Sequence, residues 1–111
     1  MSDQAAQILP SVVVLPAEID VTNSDEVYQQ LTAAALSPGV GTVIADLTST
    51  SFCDSSGVHA IMHAHERAAA RDIGLRLAVS PGGSVRRVLQ LTGADHVMPV
   101  FASVQEAIQE A

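Results

Sequence analysis

Apolar positions follow two different periods along the chain, and their alternation predicts strands interleaved with helices. Unbroken, largely β-branched apolar runs predict strands that are covered on both faces. Apolar residues at spacings of three and four predict amphipathic helices. By these criteria the predicted strands cover residues 11–15, 42–47, 75–79 and 96–101. The predicted helices begin near Asn23, Asp54, Ser84 and Ser103.

Turn and capping residues separate the predicted elements. Asn23 precedes Glu26, and Ser103 precedes Glu106, by the three-residue spacing of a capping box. Strands that alternate with helices pair in parallel through right-handed crossovers. The predicted fold class is therefore α/β, a small single domain with a mixed, mostly parallel sheet of about four or five strands and about four helices.

The length of 111 residues suits one hydrophobic core. Residues 11–111 are assigned to this domain. Residues 1–10 are mostly small and polar, and they are predicted to be either a frayed terminus or a short edge strand. The first residues lack the basic region of a secretory signal, and no apolar run approaches the roughly 20 residues that span a bilayer. We therefore expect a cytoplasmic protein that does not bind a membrane.

The charge balance excludes one class of partner. The formal net charge is −7, and the only five basic side chains are arginines. Nucleic-acid binding needs a basic surface, so no direct nucleic-acid partner is expected. A protein partner with some basic surface suits this composition better. The single cysteine, Cys53, has no basic neighbours that would favour its thiolate, and we expect a buried strand-end residue and not a redox sensor.

A carboxylate and two hydroxyls stand at the start of the second predicted helix, as Asp54, Ser55 and Ser56. Unpaired backbone N–H groups and the positive end of the helix dipole gather at such a position. A phosphate on Ser55 or Ser56 would lie in a favourable field there. A plain helix cap explains the same residues without any modification. Both interpretations remain open at the level of local pattern.

Six segments of the chain, taken in order, are similar to those of a known family. They are Glu18-Ile-Asp20, Val43-Ile-Ala-Asp-Leu47, Asp54-Ser-Ser-Gly-Val58, Gly74-Leu-Arg-Leu-Ala-Val79, Val85-Arg-Arg-Val-Leu-Gln-Leu-Thr-Gly93 and Val97-Met-Pro-Val-Phe101. Their joint order and spacing from about residue 12 to residue 111 resembles the STAS domain family, and in particular its anti-sigma factor antagonists.

The resemblance implies a binding module and not an enzyme. In the unphosphorylated state it would capture an anti-sigma factor that is also a serine kinase, and so free a sigma factor. That kinase would switch it off, and a serine phosphatase would reverse the change. Carried over by position, the phosphoacceptor is Ser55, and Asp20, Asp54, Ser56 and Gly57 belong to the surface that meets the partner. No cofactor is implied.

Departures from the family pattern concern the amino terminus and the helix after Ser55. The family commonly has a hairpin before Glu18, whereas the segment here is short, and Ala17 stands where a glycine is usual. His59 and His63 fall on one exposed helix face and are interpreted as partner contacts. Without a clear third ligand, no metal is predicted. His65 lies on the apolar stripe and is predicted to be a satisfied core histidine.

Two further functions are compatible with the same fold. One is a STAS module that scaffolds or senses within a larger signalling assembly and is never phosphorylated. The other is a small-ligand-binding domain that uses the loops at the strand ends. Enzymatic motifs are missing from the sequence, which has no Gly-x-Ser-x-Gly elbow, Gly-x-Gly-x-x-Gly string or Walker A motif.

Overall fold

The computed structural model describes residues 9–110, and strands and helices alternate through them. The strands are β1 (Leu9–Val14), β2 (Glu18–Ile19), β3 (Val40–Asp46), β4 (Phe52–Cys53), β5 (Gly74–Ala78) and β6 (Val100–Phe101). The helices are α1 (Ser24–Ala35), α2 (Ser55–Ala69), α3 (Ser84–Thr92) and α4 (Val104–Gln109), with a 3₁₀ turn at Ala94–His96. The predicted α/β class with about four helices is confirmed.

All strand pairs among residues 9–110 are parallel. The main sheet has the order β1-β3-β5-β6. A separate two-stranded ribbon joins β2 to β4, with Glu18 opposite Phe52 and Ile19 opposite Cys53. Parallel strands end at the same edge, so the chain leaves β2 and β4 side by side. This ribbon positions the residues that precede α1 and α2.

The core lies mainly on one face of the sheet, where it is aliphatic and almost completely buried. Helices α1, α2 and α3 contribute to it together with the inward side chains of the strands. The opposite face is covered by α4, whose Ala107 packs on Ile44 and Ala78. The largest fully buried side chains are Ile19, Leu31, Ile44, Leu47, Ile61, Leu77, Leu89 and Met98. No helix within the described range is long and apolar enough to cross a membrane.

Three strands begin two or more residues away from the predicted start, and one of them is β3, which begins at Val40 and not at residue 42. β1 begins at Leu9, two residues before the predicted start. The last strand was predicted from His96 but contains only Val100 and Phe101. The reason lies at Gly93, whose φ of +79° ends α3 in the left-handed region, after which the chain winds through the 3₁₀ turn. Residues 1–10 are predicted to be a frayed terminus or a short edge strand; Leu9 and Pro10 belong to β1, and residues 1–8 lie outside the described range.

Two predicted side-chain roles are wrong. Asn23 occupies the N-cap position of α1, but its side chain makes no capping hydrogen bond. Its side chain instead accepts from the Asp20 backbone N–H at 3.0 Å and donates to the Glu18 carbonyl at 2.8 Å, so it braces the β2–α1 loop. His65 is not satisfied, because its Nδ1 is buried and has no hydrogen-bond partner within residues 9–110.

Helix α2 packs directly on the β2–β4 ribbon at Gly57. A Cβ at this position would lie 2.6 Å from the Cys53 Sγ and 2.6 Å from the Ile19 Cγ2. Both neighbours are buried, so neither can move into solvent. At Gly57 the helix backbone and the ribbon side chains are therefore too close to leave room for a Cβ.

We predict that Gly57→Ala destabilises the domain by about 1 to 3 kcal/mol, because overpacking outweighs the roughly 1 kcal/mol by which alanine improves a helix. Gly74→Ala is the matched control, since a Cβ there meets nothing within 4 Å. That variant should stay within about 0.5 kcal/mol of the wild type. Urea unfolding of the three proteins measures the difference, and equal midpoints for both variants would disprove the tight contact.

Candidate functional site

The candidate site lies at the carboxyl end of the β2–β4 ribbon. Asp20 directly follows the last residue of β2, and Asp54 directly follows the last residue of β4. The Asp54 backbone N–H donates to the Ile19 carbonyl at 3.1 Å, which continues the pairing by one step. The structure thus brings together two carboxylates that are far apart in sequence, at the point where α2 begins.

Asp54 caps α2 with its side chain. The residue is extended, with φ −94° and ψ −174°, and its carboxylate accepts from the backbone N–H groups of Ser56 at 3.0 Å and Gly57 at 3.3 Å. It also accepts from the Ser56 hydroxyl. The hydrogen bond from the Ser56 hydroxyl is the main reason that the pKa of Asp54 lies below the ordinary value for aspartate. The start of α2 therefore carries a fixed, ionised carboxylate at neutral pH.

Asp20 shapes the loop before α1 in a similar way. Its Oδ1 accepts from the Thr22 backbone N–H at 2.9 Å and from the Thr22 hydroxyl. Asn23 holds the Asp20 backbone from the other side. The aspartate thus forms an Asx turn, and its side chain remains partly exposed.

The two serines at the start of α2 differ in their surroundings. The Ser56 hydroxyl is held by Asp54, and its side chain is half-buried. Ser55 is exposed, and among residues 9–110 its hydroxyl makes no hydrogen bond. Local sequence pattern does not distinguish the two, because either serine fits a helix start, whereas the family resemblance implies Ser55. The structure leaves Ser55 as the hydroxyl that is accessible to a second protein.

His59 and His63 lie on the exposed side of α2, as the helical spacing predicts. They form one wall of a groove of about 310 Å³ between α1 and α2, which we call the α1–α2 groove. Its lining consists of Ser24, Asp25, Tyr28, Ser56, His59, Ala60 and His63. Among the described residues, no group of three histidine, cysteine, aspartate or glutamate side chains is placed to hold a metal ion.

Sequence reasoning missed the α1 wall of this groove and two exposed apolar side chains. Asp25 and Tyr28 belong to α1, and nothing in the local sequence indicates that α1 lies against the histidine face of α2. Val21 is 75 % exposed in the loop after Asp20, and Phe52 is 49 % exposed on the outward face of β4. Val21 directly follows Asp20, and Phe52 lies two residues before Asp54.

Cys53 points inward from β4 and is almost fully buried. Burial, together with the smaller effect of the negative charge on Asp54, raises the pKa of its thiol to about 11. The thiol is therefore protonated at neutral pH. The expectation of a buried strand-end residue is confirmed.

The family of the chain is shown by its match to a known domain model. The model of the STAS domain matches residues 3–107, which is nearly the whole sequence. The chain belongs to the STAS domain family. None of the curated proteins matches the chain.

Solved structures with the same fold include anti-sigma factor antagonists. One from Mycobacterium paratuberculosis has a TM-score of 0.78 and 22% identity, over 91% of this chain and 86% of that one. The anti-sigma factor antagonist SpoIIAA in its unphosphorylated form has a TM-score of 0.72 and 28% identity, over 93% and 88% of the two chains. The Bacillus cell fate determinant SpoIIAA in the phosphorylated form has a TM-score of 0.65 and 26% identity, over 93% and 91%.

We predict that Cys53 of the folded protein reacts with iodoacetamide on the order of 100-fold more slowly than free cysteine at pH 8, because the thiolate is the nucleophile. The rate should keep rising about tenfold per pH unit up to roughly pH 10, whereas that of an ordinary thiol levels off near pH 9. The urea-unfolded chain is the control and should react like free cysteine. A folded-state rate that levels off near pH 9 would contradict the raised pKa.

Proposed function

We propose that this protein is an anti-sigma factor antagonist that works by partner switching. Its unphosphorylated form binds an anti-sigma factor with serine kinase activity, and this binding releases a sigma factor. Phosphorylation of Ser55 by that kinase ends the complex, and a serine phosphatase restores it. The observation that carries the proposal is the exposed Ser55 hydroxyl, which is free of hydrogen bonds within residues 9–110 and stands beside the capped start of α2.

The choice of Ser55 over Ser56 rests on the Asp54 cap. A phosphate on Ser56 would remove the hydroxyl hydrogen bond to Asp54 and place two anions against each other. A phosphate on Ser55 leaves that hydrogen bond intact. It also lies at the positive end of the α2 dipole, where negative charge is favourable. The fold should therefore tolerate phosphorylation at Ser55.

The proposed switch acts on the complex and not on the fold. A kinase must bring the terminal phosphate of ATP next to the acceptor hydroxyl. After transfer, Ser55 would carry about −1.5 to −2 charges facing the remaining phosphates of the bound nucleotide. Asp54 adds its own fixed negative charge on the same side. Repulsion between these groups would weaken the complex.

The proposed docking surface includes every partner-binding residue of the sequence prediction except Gly57. Asp20, Asp54 and Ser56 lie at the carboxyl end of the ribbon, where α2 begins. His59 and His63 extend the surface along α2. Gly57 is buried, so it would contribute by holding α2 on the ribbon and not by direct contact. We propose a binding module of the cytoplasm, without enzymatic activity, cofactor, membrane contact or direct nucleic-acid contact.

The proposal is tested with ATP and the small histidine-kinase-like ATPases of the same genome. We predict that one of them adds a single phosphate to the wild type and to Ser56→Ala, but not to Ser55→Ala, as read by intact mass and peptide mapping. Ser55→Ala should still bind that kinase, whereas Ser55→Asp should bind it at least about tenfold more weakly, a difference of about 1.4 kcal/mol. Circular dichroism should show all variants folded.

Other outcomes separate the alternatives. Modification of Ser55→Ala and not of Ser56→Ala would move the acceptor to Ser56. Equal affinities of Ser55→Ala and Ser55→Asp would contradict a charge switch. If no kinase modifies or binds the protein but it assembles with other STAS proteins, the scaffold function replaces the proposed one. A metabolite that co-purifies in the loops at the strand ends would favour the small-ligand function.

A further inference from the structure

The α1–α2 groove has a chemistry that selects its occupant. Asp25 contributes one carboxylate, Tyr28 an aromatic ring, and Ala60 an apolar floor. The lining residues include no lysine or arginine. Ser56 also lines the groove, and its hydroxyl donates to the ionised Asp54 carboxylate at the start of α2. The groove therefore combines negative charge with an apolar floor and an aromatic surface.

From this chemistry we propose that the α1–α2 groove receives an arginine side chain of the protein partner. The inference rests on the proposed function, because it names the partner's contribution at the same surface. A guanidinium can pair with the Asp25 carboxylate while it stacks on the Tyr28 ring. Its methylene stem can cover Ala60. His59 and His63 form the opposite wall.

The size and charge of the groove argue against other occupants. A volume of about 310 Å³ stands at the lower limit for small-molecule sites, and it suits one side chain better than a cofactor. An anion would meet the Asp25 carboxylate, and the groove offers no lysine or arginine to pair with it. A purely apolar side chain would bury the polar groups of Asp25 and Tyr28 without partners. A lysine would satisfy the charge, but its ammonium group has no planar face to stack on the Tyr28 ring.

The chain itself places a guanidinium on the same tyrosine. At the far end of α2, the Arg67 Nη1 donates to the Tyr28 hydroxyl at 3.2 Å. Tyr28 also lines a second groove there, with His63, Glu66, Arg67 and Ala70. The Tyr28 hydroxyl therefore already accepts from one guanidinium, and the proposed stacking would use the face of the ring.

The first test compares two neutralised carboxylates on the first turn of α1. Asp25 and Glu26 are adjacent and exposed, but only Asp25 lines the groove. Asp25→Asn should lower affinity for the kinase partner about tenfold, whereas Glu26→Gln should lower it less than about threefold. Equal losses would reduce the effect to general electrostatic attraction and overturn the proposal.

The second test uses no partner protein, so it can fail independently of the proposed function. Arginine amide at millimolar concentration should shift the backbone amide resonances of residues 24–28 and 56–63 in ¹⁵N-labelled protein. Citrulline amide, which has a neutral group of similar shape, should not. The shifts should vanish in Asp25→Asn and persist in Glu26→Gln. Equal shifts with both compounds, or shifts located elsewhere, would overturn the groove assignment even if a kinase phosphorylates Ser55.

Discussion

The close contact of α2 with the β2–β4 ribbon is the constraint on which the site depends. The ribbon has only two paired positions on each strand, so backbone pairing alone gives it little stability. Its inward side chains, Ile19 and Cys53, are covered by α2 at Gly57. Any larger residue at that position would push the helix away from the ribbon. The relative position of Asp20, Asp54 and Ser55 follows from this packing.

The same packing determines the electrostatics of the surface. Asp54 is both the residue after β4 and the N-cap of α2. Its carboxylate therefore places a negative charge where the strand ends and the helix begins. Its hydrogen bond from Ser56 lowers the pKa of the Asp54 carboxyl, and Ser55 remains the exposed hydroxyl. A helix start that is already capped can accept a further negative charge without unfolding. This property is compatible with a reversible modification of a stable domain.

The surface around Ser55 is built by elements that are distant in sequence. The loop after β2 contributes Asp20 and Val21, β4 contributes Phe52, and α1 contributes Asp25 and Tyr28. Acidic groups surround exposed apolar side chains, and His59 and His63 extend the surface along α2. Such a combination supports the proposed protein partner, which would contribute basic and apolar groups. The net charge of −7 points in the same direction.

The sequence by itself determined the fold class, because apolar periodicity is a local property that survives into the folded state. It also located the helix start at Asp54, since a cap uses neighbouring residues. It failed at Asn23, whose side chain braces the β2–α1 loop, and at the last strand, which shortens after Gly93. The family resemblance implies Ser55 as the acceptor, and the local hydrogen bond from Ser56 to Asp54 agrees with that choice. Only the tertiary structure placed Asp25 and Tyr28 opposite the histidines. Those features depend on contacts between α1, α2 and the ribbon, and no local pattern encodes how separate elements pack against each other.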